Sequence, residues 1–141
     1  MEIKKIMNVP ANYLFDVFTR SIQNDIYEQT GEEVSLEDFE GFEYVKTFSE
    51  NSQALIRIDK FELNRAYHYS TNTDKNHIKS QYDIKELDEE KCELDYSETL
   101  TSHGFIQKIN DTFVGFIWSY LKKRRFNQML DEIEQSYEEN K

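Results

Sequence analysis

Hydrophobic and polar positions run in two rhythms along this chain, and the switches between them divide it into elements. Residues 2–7, EIKKIM, read as a short strand with Ile3 and Met7 on one parity. Pro10 follows, where a missing N–H costs nothing at the first position of a helix. From there Tyr13, Leu14, Val17, Phe18, Ser21 and Ile22 recur at three- and four-residue spacing, and Ile26 continues the line. Gly31 supplies a stop. The pattern predicts a helix, or a broken pair of helices, over 10–29. In 35–41, SLEDFEG, one helical turn is expected, with Ser35 as its cap and Asp38 at the acid position of a capping box.

Period-two alternation then takes over. In 42–48, Phe42, Tyr44, Lys46 and Phe48 oppose Glu43, Val45 and Thr47. In 53–61, Ala54, Ile56 and Ile58 oppose Arg57 and Asp59. Residues 65–71, RAYHYST, form an aromatic and polar strand, and 77–86 align Ile78, Tyr82 and Ile84. The cleanest alternation is 91–101, where Cys92, Leu94, Tyr96, Glu98 and Leu100 share one face and the other is polar throughout. That pattern marks an antiparallel sheet covered on one side. A helical period returns near Gly104, with Phe105, Ile109, Phe113, Phe116, Ile117, Tyr120 and Leu121, and runs on through Phe126, Met129, Leu130 and Ile133. A helix over 103–137 would be roughly 50 Å long at 1.5 Å per residue. It would overhang the sheet, leaving Phe126 to Ile133 for another partner. The expected fold is α+β, a curved antiparallel sheet wrapped around the long C-terminal helix so that each apolar face buries the other.

Composition narrows the chemistry. The chain has 141 residues, the size of a single domain spanning 1–141. Its one cysteine, Cys92, excludes an internal disulfide, and with three histidines it excludes a Cys-rich zinc module. A formal charge of −11, shared between both halves, argues against a general nucleic-acid binder, which needs clustered positive charge. No signal peptide or spanning segment is legible, and with a lone cysteine the simplest location is cytoplasmic. No cofactor or metal motif is present: there is no HExxH, GxSxG, CxxC or glycine-rich phosphate loop.

The element order resembles the helix-grip fold of the START-like (SRPBCC) superfamily, which includes lipid-transfer START domains, pollen allergens, polyketide cyclases and a domain of an Hsp90 activator. The segment NVPANYLFDVF, residues 8–18, carries the strand-to-helix opening, and the long terminal helix is the second shared feature. Residues 1–60, and EGFEYVKTFS (40–49) above all, are similar to a small family of low-GC Gram-positive bacteria whose domain has no known function. These motifs are fold signatures and name no catalytic residue. The resemblance implies a space between helix and sheet that often holds an apolar ligand.

Tyr44, Tyr82 and Tyr96 share parity with apolar strand residues, and Glu98 lies between Tyr96 and Leu100 on the same face. A buried hydroxyl or carboxylate needs a partner, so a tyrosine-lined cavity with one acid suits an amphipathic ligand. Phe113 and Ile117 would close it from the helix. The plainer reading is a filled core with tyrosine hydroxyls reaching its rim. His68, His77 and His103 have no partner at ligand spacing, although His68 and Glu98 could meet if their strands were neighbours. Lys122, Lys123, Arg124 and Arg125 form a basic run that covers most of a helical turn, so it cannot address one surface.

Three functions remain open. The first is non-catalytic binding of a small apolar or amphipathic molecule between sheet and C-terminal helix. The second is a protein-interaction or structural domain with a filled core, a homodimer among its forms. The third is a cyclase-like enzyme, with non-catalytic function favoured over it.

Overall fold

The computed structural model describes residues 1–102 and 105–140, with side chains described for 1–101 and 122–140. The elements are β1 (Glu2–Met7), α1 (Ala11–Thr30), a single 3-10 turn (Leu36–Asp38), β2 (Glu43–Ser49), β3 (Ser52–Glu62), β4 (Ala66–Asn72), β5 (Asn76–Asp88), β6 (Lys91–Ser102) and α2 (Phe105–Glu139). Each period change in the sequence marks an element boundary. Pro10 precedes α1 as its N-cap, with ψ 150°, one position earlier than expected, and its carbonyl accepts from Leu14 N at 3.1 Å. The helix is continuous for 20 residues and ends at Gly31, whose φ of 76° suits glycine and lets its N–H reach the Tyr27 carbonyl at 2.8 Å. Ser35 does not cap the following turn. Its Oγ donates to the Asp38 carboxylate at 3.1 Å instead.

The six strands form one antiparallel sheet in the order β1-β6-β5-β4-β3-β2. Chain neighbours pair from β2 to β6, and β1 docks beside β6 with Ile3 opposite Tyr96 and Met7 opposite Cys92. The α+β class holds, but the expected sheet wrapped around the C-terminal helix does not. The sheet is open and not strongly curled, with β1 and β2 as free edges that never pair. The physical reason is that α1 takes much of the inner face: it packs on β2 and β5 and also touches α2. Phe15 meets Phe61 at 5.2 Å and Phe18 meets Tyr82 at 4.7 Å between ring centroids. Two helices therefore share the face that one was expected to fill.

The core lies between these helices and the sheet. Leu14, Phe15 and Ile26 from α1, Met7 from β1, Ile58 from β3, Leu94 from β6 and Leu130 from α2 are fully buried. Phe39, just after the 3-10 turn, joins them edge-on to Phe61 at 4.9 Å. The predicted overhang of α2 is also corrected. Leu130 and Ile133 are buried, and Phe126 and Met129 pack against the core, so this protein's own sheet and α1 cover the stripe that suggested a dimer. Lys5 of β1 fixes that end by pairing with Asp131 at 2.9 Å and Glu134 at 3.6 Å.

Candidate functional site

Register places the tyrosines. Tyr67, Tyr82 and Tyr96 oppose one another across β4, β5 and β6, and Ile3 of β1 completes the row. Tyr67 and Tyr82 stack at 5.8 Å, Tyr82 and Tyr96 tilt together at 4.6 Å, and Phe126 of α2 stacks on Tyr96 at 4.5 Å. Tyr69, one step along the inner face of β4, stacks on Tyr67 at 5.1 Å.

Beside this row opens a cavity of about 400 Å³ between α1, the inner face of β2 to β5, and Met129 of α2. Aromatic rings of Phe18, Tyr67, Tyr69 and Tyr82 line one part of it. Its polar part is an interlocked set. Tyr44 Oη donates to Asp25 Oδ2 at 2.5 Å, and Lys46 Nζ pairs with Asp25 Oδ1 at 3.0 Å. Lys46 also sits 5.6 Å from the centroid of the Phe48 ring, which lines the outer part. Asp25 therefore spends both oxygens inside the protein, whereas the Lys46 ammonium still has donors to offer. Burial, followed by the bond to Asp25, pushes the Tyr44 phenol far above its ordinary range. Burial does the same to Tyr67 and Tyr82 and raises Tyr69 against an opposing hydrogen bond from Ser80. These phenols stay protonated and can donate hydrogen bonds but cannot act as bases near neutrality.

The expected site residues separate into two groups. Tyr44 and Tyr82 line the cavity. Tyr96 and Glu98 share the inner face but form a second constellation beside it: Tyr96 Oη donates to Glu98 Oε2 at 2.6 Å, and Lys122 Nζ donates to Glu98 Oε1 at 2.5 Å. Burial and then the bond to Glu98 raise the Tyr96 phenol. The carboxylate is 13% exposed and joins β6 to α2 as an internal ion pair. Phe113 and Ile117 lie outside the residues with described side chains, as do His103 and Gly104. The meeting of His68 with Glu98 does not occur, because His68 has the opposite parity from Tyr67 and Tyr69; its Nε2 lies 2.9 Å from Asp83. His77 is engaged with Asn72. Cys92 is fully buried, and burial pushes its thiol up to about 11.

Sequence reasoning missed Asp25, Lys46, Tyr67 and Tyr69. Lys46 shares the parity of Tyr44 and Phe48, and Tyr67 and Tyr69 flank His68, so all three carried a period-two signal. Asp25 follows Ile22 by three and Ser21 by four, which places it on the cavity side of α1. Among the described residues no cluster of three or more His, Cys, Asp and Glu is arranged to hold a metal, and no helix is long and apolar enough to cross a membrane.

Solved structures share the fold at low identity. The Zhui aromatase/cyclase from Streptomyces sp. R1128 has a TM-score of 0.63 at 14% identity, over 96% of this chain and 93% of that one. A conserved protein from Geobacillus kaustophilus gives 0.59 at 13%, over 96% and 95%. Norcoclaurine synthase from Thalictrum flavum, solved with dopamine and hydroxybenzaldehyde, gives 0.58 at 8%, over 100% and 87%. These likenesses are of fold alone. No curated protein matches the chain. A family model does match, over residues 1–119, although its description names no Gram-positive restriction. The chain belongs to the family described as Domain of unknown function (DUF3284).

Proposed function

We propose that this protein binds a small amphipathic molecule in the cavity beside Tyr44 and Tyr82, without catalysis. The observation that carries the reading is the combination of stacked tyrosine faces with one ammonium among the described lining residues, Lys46, that keeps unused donors. Flat apolar walls favour a ring or acyl body, and Lys46 favours an acidic head group. A non-catalytic role is supported by the saturation of two carboxylates among the described residues, Asp25 and Glu98. Asp25 holds Tyr44 and Lys46, and Glu98 holds Tyr96 and Lys122, so neither carboxylate is poised as a general acid or base. On the resemblance of residues 1–60, such a binder would work in the cytoplasm of a low-GC Gram-positive bacterium.

The test uses 8-anilinonaphthalene-1-sulfonate, a planar apolar body with one anionic group. Ser21 is an exposed α1 residue that lines the cavity, so Ser21→Trp would fill the space without emptying the core. Saturable fluorescence enhancement is expected with the parent protein, and about a tenfold weaker Kd with Ser21→Trp, equivalent to about 1.4 kcal/mol. Equal enhancement in both proteins would place the dye elsewhere and defeat the reading.

A further inference from the structure

The inner-face tyrosines are not equivalent. Tyr44 Oη donates to Asp25, Tyr96 Oη donates to Glu98, and Ser80 hydrogen-bonds Tyr69. Tyr67 and Tyr82 make ring contacts, but their hydroxyls have no hydrogen-bond partner among the described residues. Tyr67 is only 8% exposed, and Tyr82 is packed against Phe18, Tyr96 and Phe126. A hydroxyl left unpaired in such surroundings is unfavourable and calls for a partner. Neither oxygen is enclosed by protein: among the described residues, the unpaired side-chain oxygen that is sealed in is Thr19 Oγ1. Tyr67 and Tyr82 both line the cavity, so their hydroxyls open onto it.

Register makes them a pair. The two residues face each other across β4 and β5, with ring centroids 5.8 Å apart and planes at 11°. Burial keeps both phenols protonated, so two donors stand side by side on one face of the sheet. A carbonyl oxygen has two lone pairs and can accept from both, whereas a methylene group meets neither. Lys46 supplies the ammonium at the other end. Tyr44 and Asp25, the residue that holds Lys46, both act electrostatically on Tyr67. The two ends therefore belong to one space that a single molecule can span. A saturated acyl chain would cover the aromatic walls and leave both hydroxyls unmet.

From this geometry we infer that the cavity takes a planar ring acid bearing a ketone, its carboxylate on Lys46 and its carbonyl oxygen on the Tyr67 and Tyr82 hydroxyls. The inference rests on the binding function proposed above and narrows it. Tyr67 and Tyr82 become the residues that select an oxygenated ring over an acyl chain.

Fluorenone-2-carboxylate and fluorene-2-carboxylate share a ring frame and a charge and differ in the ketone. Isothermal titration calorimetry on the full chain should show the ketone acid binding about tenfold more tightly than its parent hydrocarbon acid, and more tightly than decanoate. Tyr67→Phe combined with Tyr82→Phe keeps both rings and should reduce the ketone preference to within about twofold, with each single variant losing part of it. Three results overturn the inference: equal binding of the two ring acids by the parent protein, a preference that survives the double variant, or tighter binding of decanoate. Each leaves the cavity as a binding site so long as Ser21→Trp weakens the acids that bind. Failure of all three acids to bind, or binding that Ser21→Trp leaves unchanged, overturns the cavity reading and this inference with it.

Discussion

The ion pair between Glu98 and Lys122 allows a quantitative test of how α2 is held against the sheet. Lys122→Met removes the ammonium from a carboxylate that is only 13% exposed and leaves it the Tyr96 hydroxyl at 2.6 Å. Breaking a fully buried pair costs about 3–5 kcal/mol, and an exposed one about 0–1 kcal/mol. Lys122 keeps 31% of its side chain in solvent, so water can partly replace it. The expected loss is therefore about 2 kcal/mol. Glu98→Gln keeps an acceptor for Tyr96 and leaves an ammonium that can reach water, so its loss is about 1 kcal/mol. The double variant should lose about 2 kcal/mol rather than the sum, which gives a coupling near 1 kcal/mol. Urea unfolding at equilibrium reads all four proteins on one scale, provided the m-values agree. Losses that add within about 0.3 kcal/mol would show that the two groups do not interact, and the docking of α2 through Glu98 would be refuted.

Two further predictions test the core and its titration. Leu130→Ala empties a fully buried position on α2 and should cost about 3 kcal/mol, whereas the exposed neighbour Glu132→Ala should stay within about 0.5 kcal/mol; thermal unfolding that fails to separate them would show Leu130 outside the core. Stability should fall with rising alkalinity. The Cys92 thiol and the Tyr44, Tyr67, Tyr69, Tyr82 and Tyr96 phenols are all raised in the folded protein, so the unfolded chain loses these protons first. Their contribution is whole below the ordinary thiol and phenol ranges and is lost above them, beginning near 9 for Cys92, whose native thiol resists to about 11. Absorbance at the phenolate band should rise together with loss of helix by circular dichroism for these five of the nine tyrosines. Smooth ionisation of all nine in the intact fold would contradict the buried row.

Much of this architecture was legible because the two periods are clean. Alternation through Cys92, Leu94 and Tyr96 named a covered face, and β6 has it. The spacing of Leu14, Phe18 and Ile22 named the buried stripe of α1. What periodicity does not carry is how two apolar faces share space. The stripe of α1 and that of α2 both fit the sheet, and only packing decided that α1 would occupy β2 and β5, leaving the sheet open. The same limit governed the site. Parity placed Tyr44 and Tyr82 on the inner face, but Asp25 reaches Tyr44 from a helix 19 residues away, a meeting set by the packing of α1 on β2. Glu98 had the right parity too. Its partner, Lys122, lay in a basic run that covers most of a helical turn and so named no single surface, and only the placement of α2 shows it meeting Glu98.

The central claim is that the space beside Tyr44, Tyr69 and Tyr82 is a site for a bound molecule rather than a gap in the core. Native mass spectrometry of gently purified protein tests it most directly. A small-molecule adduct is expected on the parent protein, released by denaturation and absent from Ser21→Trp. An adduct-free parent spectrum that stays unchanged after incubation with acidic amphiphiles would contradict the account.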